Sequence, residues 1–108
     1  MKRIFLALAI LVLSPSAFCG QSSGPVGSYL VSRYAKLFFN AGAASSRPAC
    51  SPNNEWAVDL SGPDAAAGRA ILATIIAAHA SGKTVHVIGK GVCDVWGDRE
   101  TVEYVVVS

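Results

Sequence analysis

The residues able to do chemistry are few and scattered. His79 and His86 are the only imidazoles, and Cys19, Cys50 and Cys93 the only thiols. A histidine acting as general base needs a nucleophile and an orienting carboxylate brought near it by the fold. Asp59, Asp94 and Asp98 are candidate acids, but the chain has no Gly-x-Ser-x-Gly elbow and no His-Glu-x-x-His helix. Ser81-Gly82-Lys83-Thr84 ends like a phosphate-binding loop, yet Ala77 stands where that motif needs glycine. Its helix also precedes the strand, so no helix N-terminus would face a phosphate. The segment reads as a helix C-cap and turn. Asp94, Asp98 and Glu100 surround Trp96, but their spacing fits no calcium loop. Aspartates beside Gly97 suit turns, where they bond their own backbone. The same stretch could recognise a ligand: Trp96 offers a flat apolar face, and Asp98, Arg99 and Glu100 offer fixed polar groups. Sugar binding uses that combination. Against it stands a tryptophan three residues from a disulfide cysteine serving as a core plug, as Trp56 does on its apolar strand face. No catalytic set, metal site or cofactor is expected.

These residues must be positioned by a short chain of 108 residues, 52% hydrophobic and 15% charged, with formal charge +2. Lys2 and Arg3 precede an apolar run from Ile4 to Leu13, which Ser14, Pro15, Ser16 and Ala17 break. This pattern predicts a secretory signal peptide over residues 1–19, with Ala17 and Cys19 at −3 and −1. The run is about half the roughly 20 residues a spanning helix needs. Acylation of Cys19 fits less well, because Phe18 precedes it where a small residue is wanted. Cleavage after Cys19 removes Lys2 and Arg3, leaving seven basic residues against seven acidic ones. A neutral mature chain carries no cationic face for nucleic acid. The expected location is secreted or periplasmic, with no membrane span in the mature chain. Two cysteines remain, and in an oxidising compartment Cys50 and Cys93 pair. A metal site from these thiols and a histidine lacks any Cys-x-x-Cys spacing.

Residues 20–25 read as a flexible lead-in, and 26–108 as one disulfide-linked domain. Val26 to Tyr34 and Lys36 to Asn40 read as strands, with Val26, Leu30 and Tyr34 sharing a face of the first. Asn40 to Pro52 reads as a loop carrying Cys50. Glu55 to Leu60 alternates as a third strand. Ser61 and Asp64 have capping-box spacing ahead of a helix from Asp64 to Ser81, with Gly82 at C′. Lys83 to Ile88 and Val102 to Val107 complete five strands, the last apolar enough for burial on both faces or at a subunit contact. The fold class is α+β: a small, mostly antiparallel five-stranded oligonucleotide/oligosaccharide-binding (OB)-like sheet or barrel with one helix between strands three and four.

Several stretches carry a resemblance as a set: Trp56-Ala57-Val58-Asp59, Gly68-Arg69-Ala70, Ala80-Ser81-Gly82-Lys83, and Cys93 through Trp96-Gly97-Asp98-Arg99-Glu100. Together they resemble a family of small exported, mostly uncharacterised bacterial proteins with patterns Trp-Ala-x-Asp, Gly-Lys-Ala, Ala-Ser-Gly-Lys and Cys-x-x-Trp-Gly-Asp-x-Glu. Arg69 stands where that family usually has lysine. In layout the chain is also distantly similar to receptor-binding B subunits of AB5 toxins of the subtilase-cytotoxin type. That resemblance implies a ring-forming homo-oligomer and glycan recognition, and it transfers no binding residues. The leading expectation is an exported, non-enzymatic binding or interaction domain whose partners are copies of itself and a glycan or exported protein. The alternatives are a small exported hydrolase using a His/Asp pair, and a structural envelope protein without a ligand.

Overall fold

A computed structural model describes residues 19–108. The leader expectation, Cys19 apart, lies outside the described residues. Seven elements follow in order: β1 (Gln21–Pro25), β2 (Ser28–Val31), β3 (Lys36–Asn40), β4 (Trp56–Asp59), α1 (Ala65–Ser81), β5 (Thr84–Gly89) and β6 (Glu100–Val107). The fold is α+β, with one helix and one six-stranded sheet in the order β1-β5-β6-β4-β3-β2. All pairings are antiparallel except β4 with β6.

The sixth strand corrects the sequence reading. Residues 21–25 are no flexible lead-in but a strand paired along its length with β5, from Gln21↔Ile88 to Pro25↔Thr84. Gln-Ser-Ser-Gly-Pro has no apolar alternation to announce it. What holds it is the backbone ladder, extended on its other side by Gln21 and Ser45, which exchange hydrogen bonds of 3.0 and 2.8 Å. β1 and β2 stand at opposite ends of the strand order, yet only Val26 and Gly27 separate them. The sheet must therefore curl until its two ends meet within one extended run. At the bend the Gly27 N–H donates to the Asn40 carbonyl at 3.1 Å. The crossing is tight: a Cβ on Gly24 would stand 3.1 Å from the Gly42 Cα, and Gly42 has φ +80°. That left-handed conformation suits glycine. The bend also breaks the expected face, because Val26 is buried while Leu30 and Tyr34 are exposed.

β4 is the central strand, and Trp56, Ala57 and Val58 are all buried. Leu37, Phe39, Trp56, Val58, Val85, Val87 and Val102 from the sheet, with Leu60 just after β4, meet Ile75 and Ala78 of α1 in one core. Gly68 lets α1 approach β4 so closely that a Cβ there would overlap the Asp59 carbonyl. The helix ends as expected, with Gly82 at φ 66° donating its N–H to Ala78 and His79. Its start differs. Asp64 makes no side-chain cap, and the Ser61 N–H and hydroxyl instead donate to Asp59 Oδ1 at 3.1 and 3.2 Å. No helix among the described residues is long and apolar enough to cross a membrane.

β6 departs from the expectation of burial on both faces: Val102 is buried, but Tyr104, Val106 and Val107 are exposed. β4 pairs only with its first two residues, leaving the later ones a single neighbour, β5.

Cys50 and Cys93 form a disulfide with Cα atoms 6.2 Å apart. It ties the loop after β3 to the loop before β6. Closing about 44 residues constrains the unfolded chain by on the order of 4 kcal/mol in the chain-entropy model. A Cys50→Ser/Cys93→Ser variant should therefore lose about 4 kcal/mol in urea denaturation. A loss below about 1 kcal/mol would show that the unfolded chain is already confined in this region.

Candidate functional site

The loop after the disulfide closes on itself at residues 96–99. Arg99 N–H donates to the Trp96 carbonyl at 3.2 Å, and the two residues form an isolated bridge. This turn sends the Trp96 and Arg99 side chains back over β3. On β3, Leu37 and Phe39 enter the core while Phe38 lies outside it, as strand alternation requires. Trp96 meets Phe38 edge to face, with ring centroids 5.1 Å apart and planes at 69°. The Arg99 guanidinium sits 4.5 Å above the Phe38 ring. Phe38 is buried by these two side chains, and Trp96 remains half-buried. Trp96 is thus neither a fully bared platform nor a plug in the main core.

Tyr34, from the turn after β2, extends this surface, its ring 6.1 Å from that of Trp96. Arg33 lies 5.0 Å over the Tyr34 ring and donates to its hydroxyl at 3.2 Å. Each arginine–aromatic contact is worth about 0.5–2 kcal/mol, depending on desolvation. Asp98 projects at the turn tip and accepts from Arg99 at 3.4 Å. The Tyr34 and Trp96 rings, two guanidiniums and one carboxylate therefore share one outer surface, with the buried Phe38 ring beneath Trp96 and Arg99. Such a surface can stack a flat apolar ring face and hydrogen-bond hydroxyls or anions around it.

Of the four residues expected there, Trp96, Asp98 and Arg99 share the surface, whereas Glu100 does not. Glu100 begins β6 with the opposite side-chain phase and is 1% exposed. Its Oε2 accepts the N–H groups of Gly20 and Gly91, both at 2.9 Å. Arg33, Tyr34 and Phe38 join this surface without a motif that marks them in the sequence. Their only local signal was an arginine and a tyrosine at the end of an apolar stretch.

A second polar group lines a cleft of about 380 Å³ between α1 and β6, bordered by Asp59, Gly68, Ile71, Lys90, Asp94 and Glu103. Asp94 accepts from Thr101 Oγ1 at 2.6 Å and from Lys90 Nζ at 3.0 Å. These bonds hold its carboxyl below the ordinary 3.8, and Asp94 in turn holds Lys90 above 10.5. Asp59 is likewise lowered, first by Lys36 Nζ at 3.0 Å and then by the Ser61 N–H. Within the cleft Lys90 and Asp94 are thus engaged with each other, and Asp59 with Lys36 beside it.

Among the described residues the histidines of the hydrolase alternative have other neighbours. His79 packs edge-on to Tyr29 at 5.4 Å. His86 lies between the hydroxyls of Ser23 at Nδ1 and Ser108 at Nε2. Neither histidine is hydrogen-bonded to a carboxylate among the described residues. Asp94, Asp98 and Glu100 do not converge either: one is bonded to lysine and threonine, one is at a turn tip, and one is buried.

The lowered carboxyls of Asp59 and Asp94 contribute stability that is present above their unfolded value near 3.8 and lost as pH falls through their folded values. Both are partly exposed, so each contribution is under about 1 kcal/mol. The urea midpoint should fall on acidification below about pH 4, and Asp94→Asn should reduce that fall while lowering the midpoint at pH 7. An acid-limb slope unchanged in the variant would show that Asp94 is bonded equally well in the unfolded chain.

Comparison of this chain with protein-family models, with curated proteins and with solved structures gives no match.

Proposed function

We propose that this chain is an exported, non-enzymatic binding domain that presents the Tyr34–Trp96–Arg99 surface to a glycan and assembles with copies of itself. The meeting of Trp96, Tyr34 and Phe38 with Arg33, Arg99 and Asp98 carries the reading. A sugar ring has an apolar face suited to an aromatic side chain and peripheral hydroxyls suited to guanidinium and carboxylate groups. The Cys50–Cys93 disulfide fits an oxidising compartment, which supports export.

The strand arrangement supports an OB-like barrel. Counting β1 and β2 as one bent strand leaves five, with the helix between the third and fourth. The bent strand then pairs at both ends of the order, and the third and last strands run parallel. Self-association draws support from Leu30 and Val31 on β2 and from Tyr104, Val106 and Val107 on β6, all exposed. β2, and β6 beyond Thr101, have an edge without a ladder partner, and exposed apolar edges are templates for pairing with another chain.

The test uses disulfide-intact protein from an exporting host, screened on a glycan array and titrated by tryptophan fluorescence. At least one glycan class should bind, and Trp96→Ala or Tyr34→Ala should each weaken it by about tenfold, the loss of one stacking contact. Light scattering should give a mass above one chain. A strict monomer that binds no glycan would overturn the proposal, and binding undiminished in both variants would remove this surface from it.

A further inference from the structure

Among the described residues Glu100 is one of the most deeply buried side chains, and no side-chain cation pairs with it. The salt bridges among the described residues are Lys36–Asp59, Lys90–Asp94 and Arg99–Asp98. An ionised carboxylate is costly to bury unless it is both paired and hydrogen-bonded. Oε2 has its two N–H donors, but Oε1 is buried with no hydrogen-bond partner among the described residues.

The chain around it is shaped for the carboxylate. A Cβ on Gly89 would overlap Oε2, and a Cβ on Gly20 would overlap Oε1, so the Gly20 main chain touches both oxygens. Gly20 is pinned there, because its carbonyl accepts the Gly89 N–H at 2.8 Å. Its nitrogen is 2.9 Å from Oε2. The preceding residue, Cys19, is exposed. Gly20 is also the residue that leader cleavage after Cys19 would make the first of the mature chain.

We propose that cleavage between Cys19 and Gly20 turns the Gly20 amide into an N-terminal ammonium that is the buried counter-charge of Glu100. The inference rests on the export reading of the proposed function. In the cleavage, carried out by a leader peptidase, water adds across the Cys19–Gly20 amide. The C–N bond breaks, the hydroxyl goes to the Cys19 carbonyl carbon, and the released amine takes up a proton; nothing is oxidised or reduced. One amide hydrogen thereby becomes three ammonium hydrogens, enough to serve Oε2 and the unpartnered Oε1 together. The mature fold is then stapled at the start of β1 by a charge the precursor does not have. An unpaired carboxylate in the precursor disfavours closure of the sheet before processing.

The full chain, exported from a bacterial host, is first characterised by intact mass and N-terminal sequencing. A start at any residue other than Gly20 overturns both the cleavage assignment and the inference. With a Gly20 start, an amine-acylating reagent at neutral pH should modify the native α-amino group at least about tenfold more slowly than in urea-unfolded protein, one pK unit of protection or more. Glu100→Gln should restore rapid acylation in the native state and lower the urea midpoint. Equal acylation rates in native and unfolded protein overturn the ion pair while leaving the export reading intact. So does a Glu100→Gln variant with unchanged rate and midpoint, which would mean a neutral buried carboxyl. Should Glu100→Gln fail to fold, a chain with one alanine inserted before Gly20, its start verified by mass, replaces the ammonium by an amide. It should have a lower urea midpoint than the Gly20-start protein, and an equal midpoint overturns the proposal.

Discussion

The fold depends on one extended run, residues 20–31, pairing at both ends of the sheet. Without it the sheet would end at β5 and β3, whose unpaired backbone groups would be open to pairing with other chains. Here β1 satisfies β5, β2 satisfies β3, and the two-residue bend at Val26 and Gly27 joins them. Gly24 and Gly42 permit the close crossing at that bend. Once the sheet is curled, its inner face converges on Trp56, whose indole N–H finds Ser22 Oγ at 3.0 Å. A polar serine in β1 is thereby buried without an unsatisfied donor from the tryptophan, as the interior requires.

The curl also explains the position of the disulfide and the outer aromatic cluster. Parallel pairing of β4 with β6 needs a long excursion of chain between them, here supplied by α1, β5 and the loop containing Cys93. That loop is held at Cys93 and closed at the Trp96–Arg99 turn, so its tip returns over β3. Phe38 points out from β3 because Leu37 and Phe39 point in. Without Trp96 and Arg99 above it, a phenyl ring would face solvent. The same contacts that hide Phe38 fix the orientation of Trp96 and Arg99, and such preorganisation reduces the cost of binding a ligand. The structural role of Trp96 is therefore compatible with the proposed recognition role.

Much of the framework was legible from residue order. Three- and four-residue spacing of Ile71, Leu72, Ile75 and Ala78 with Gly82 beyond marks α1, and alternation of Val85 and Val87 marks β5. With Cys19 assigned to the expected leader, Cys50 and Cys93 are the two thiols left to pair. β1 was not legible, because a polar strand held by backbone bonds leaves no hydrophobic pattern. The Ser61–Asp64 cap misled for a local reason: Asp59 lies two residues before Ser61 and captures its N–H and hydroxyl first.

The chain by itself determined the α+β class, one helix, its C-cap and the cysteine pairing, because these depend on local spacing or on counting. Only the tertiary structure decided what shares a surface. Tyr34 and Phe38 are separated from Trp96 by some sixty residues, and nothing local marks them as its neighbours. It also decided that Arg99 faces out while Glu100, the next residue, faces in. A strand sends consecutive side chains to opposite sides, and only the packed sheet says which side is the core.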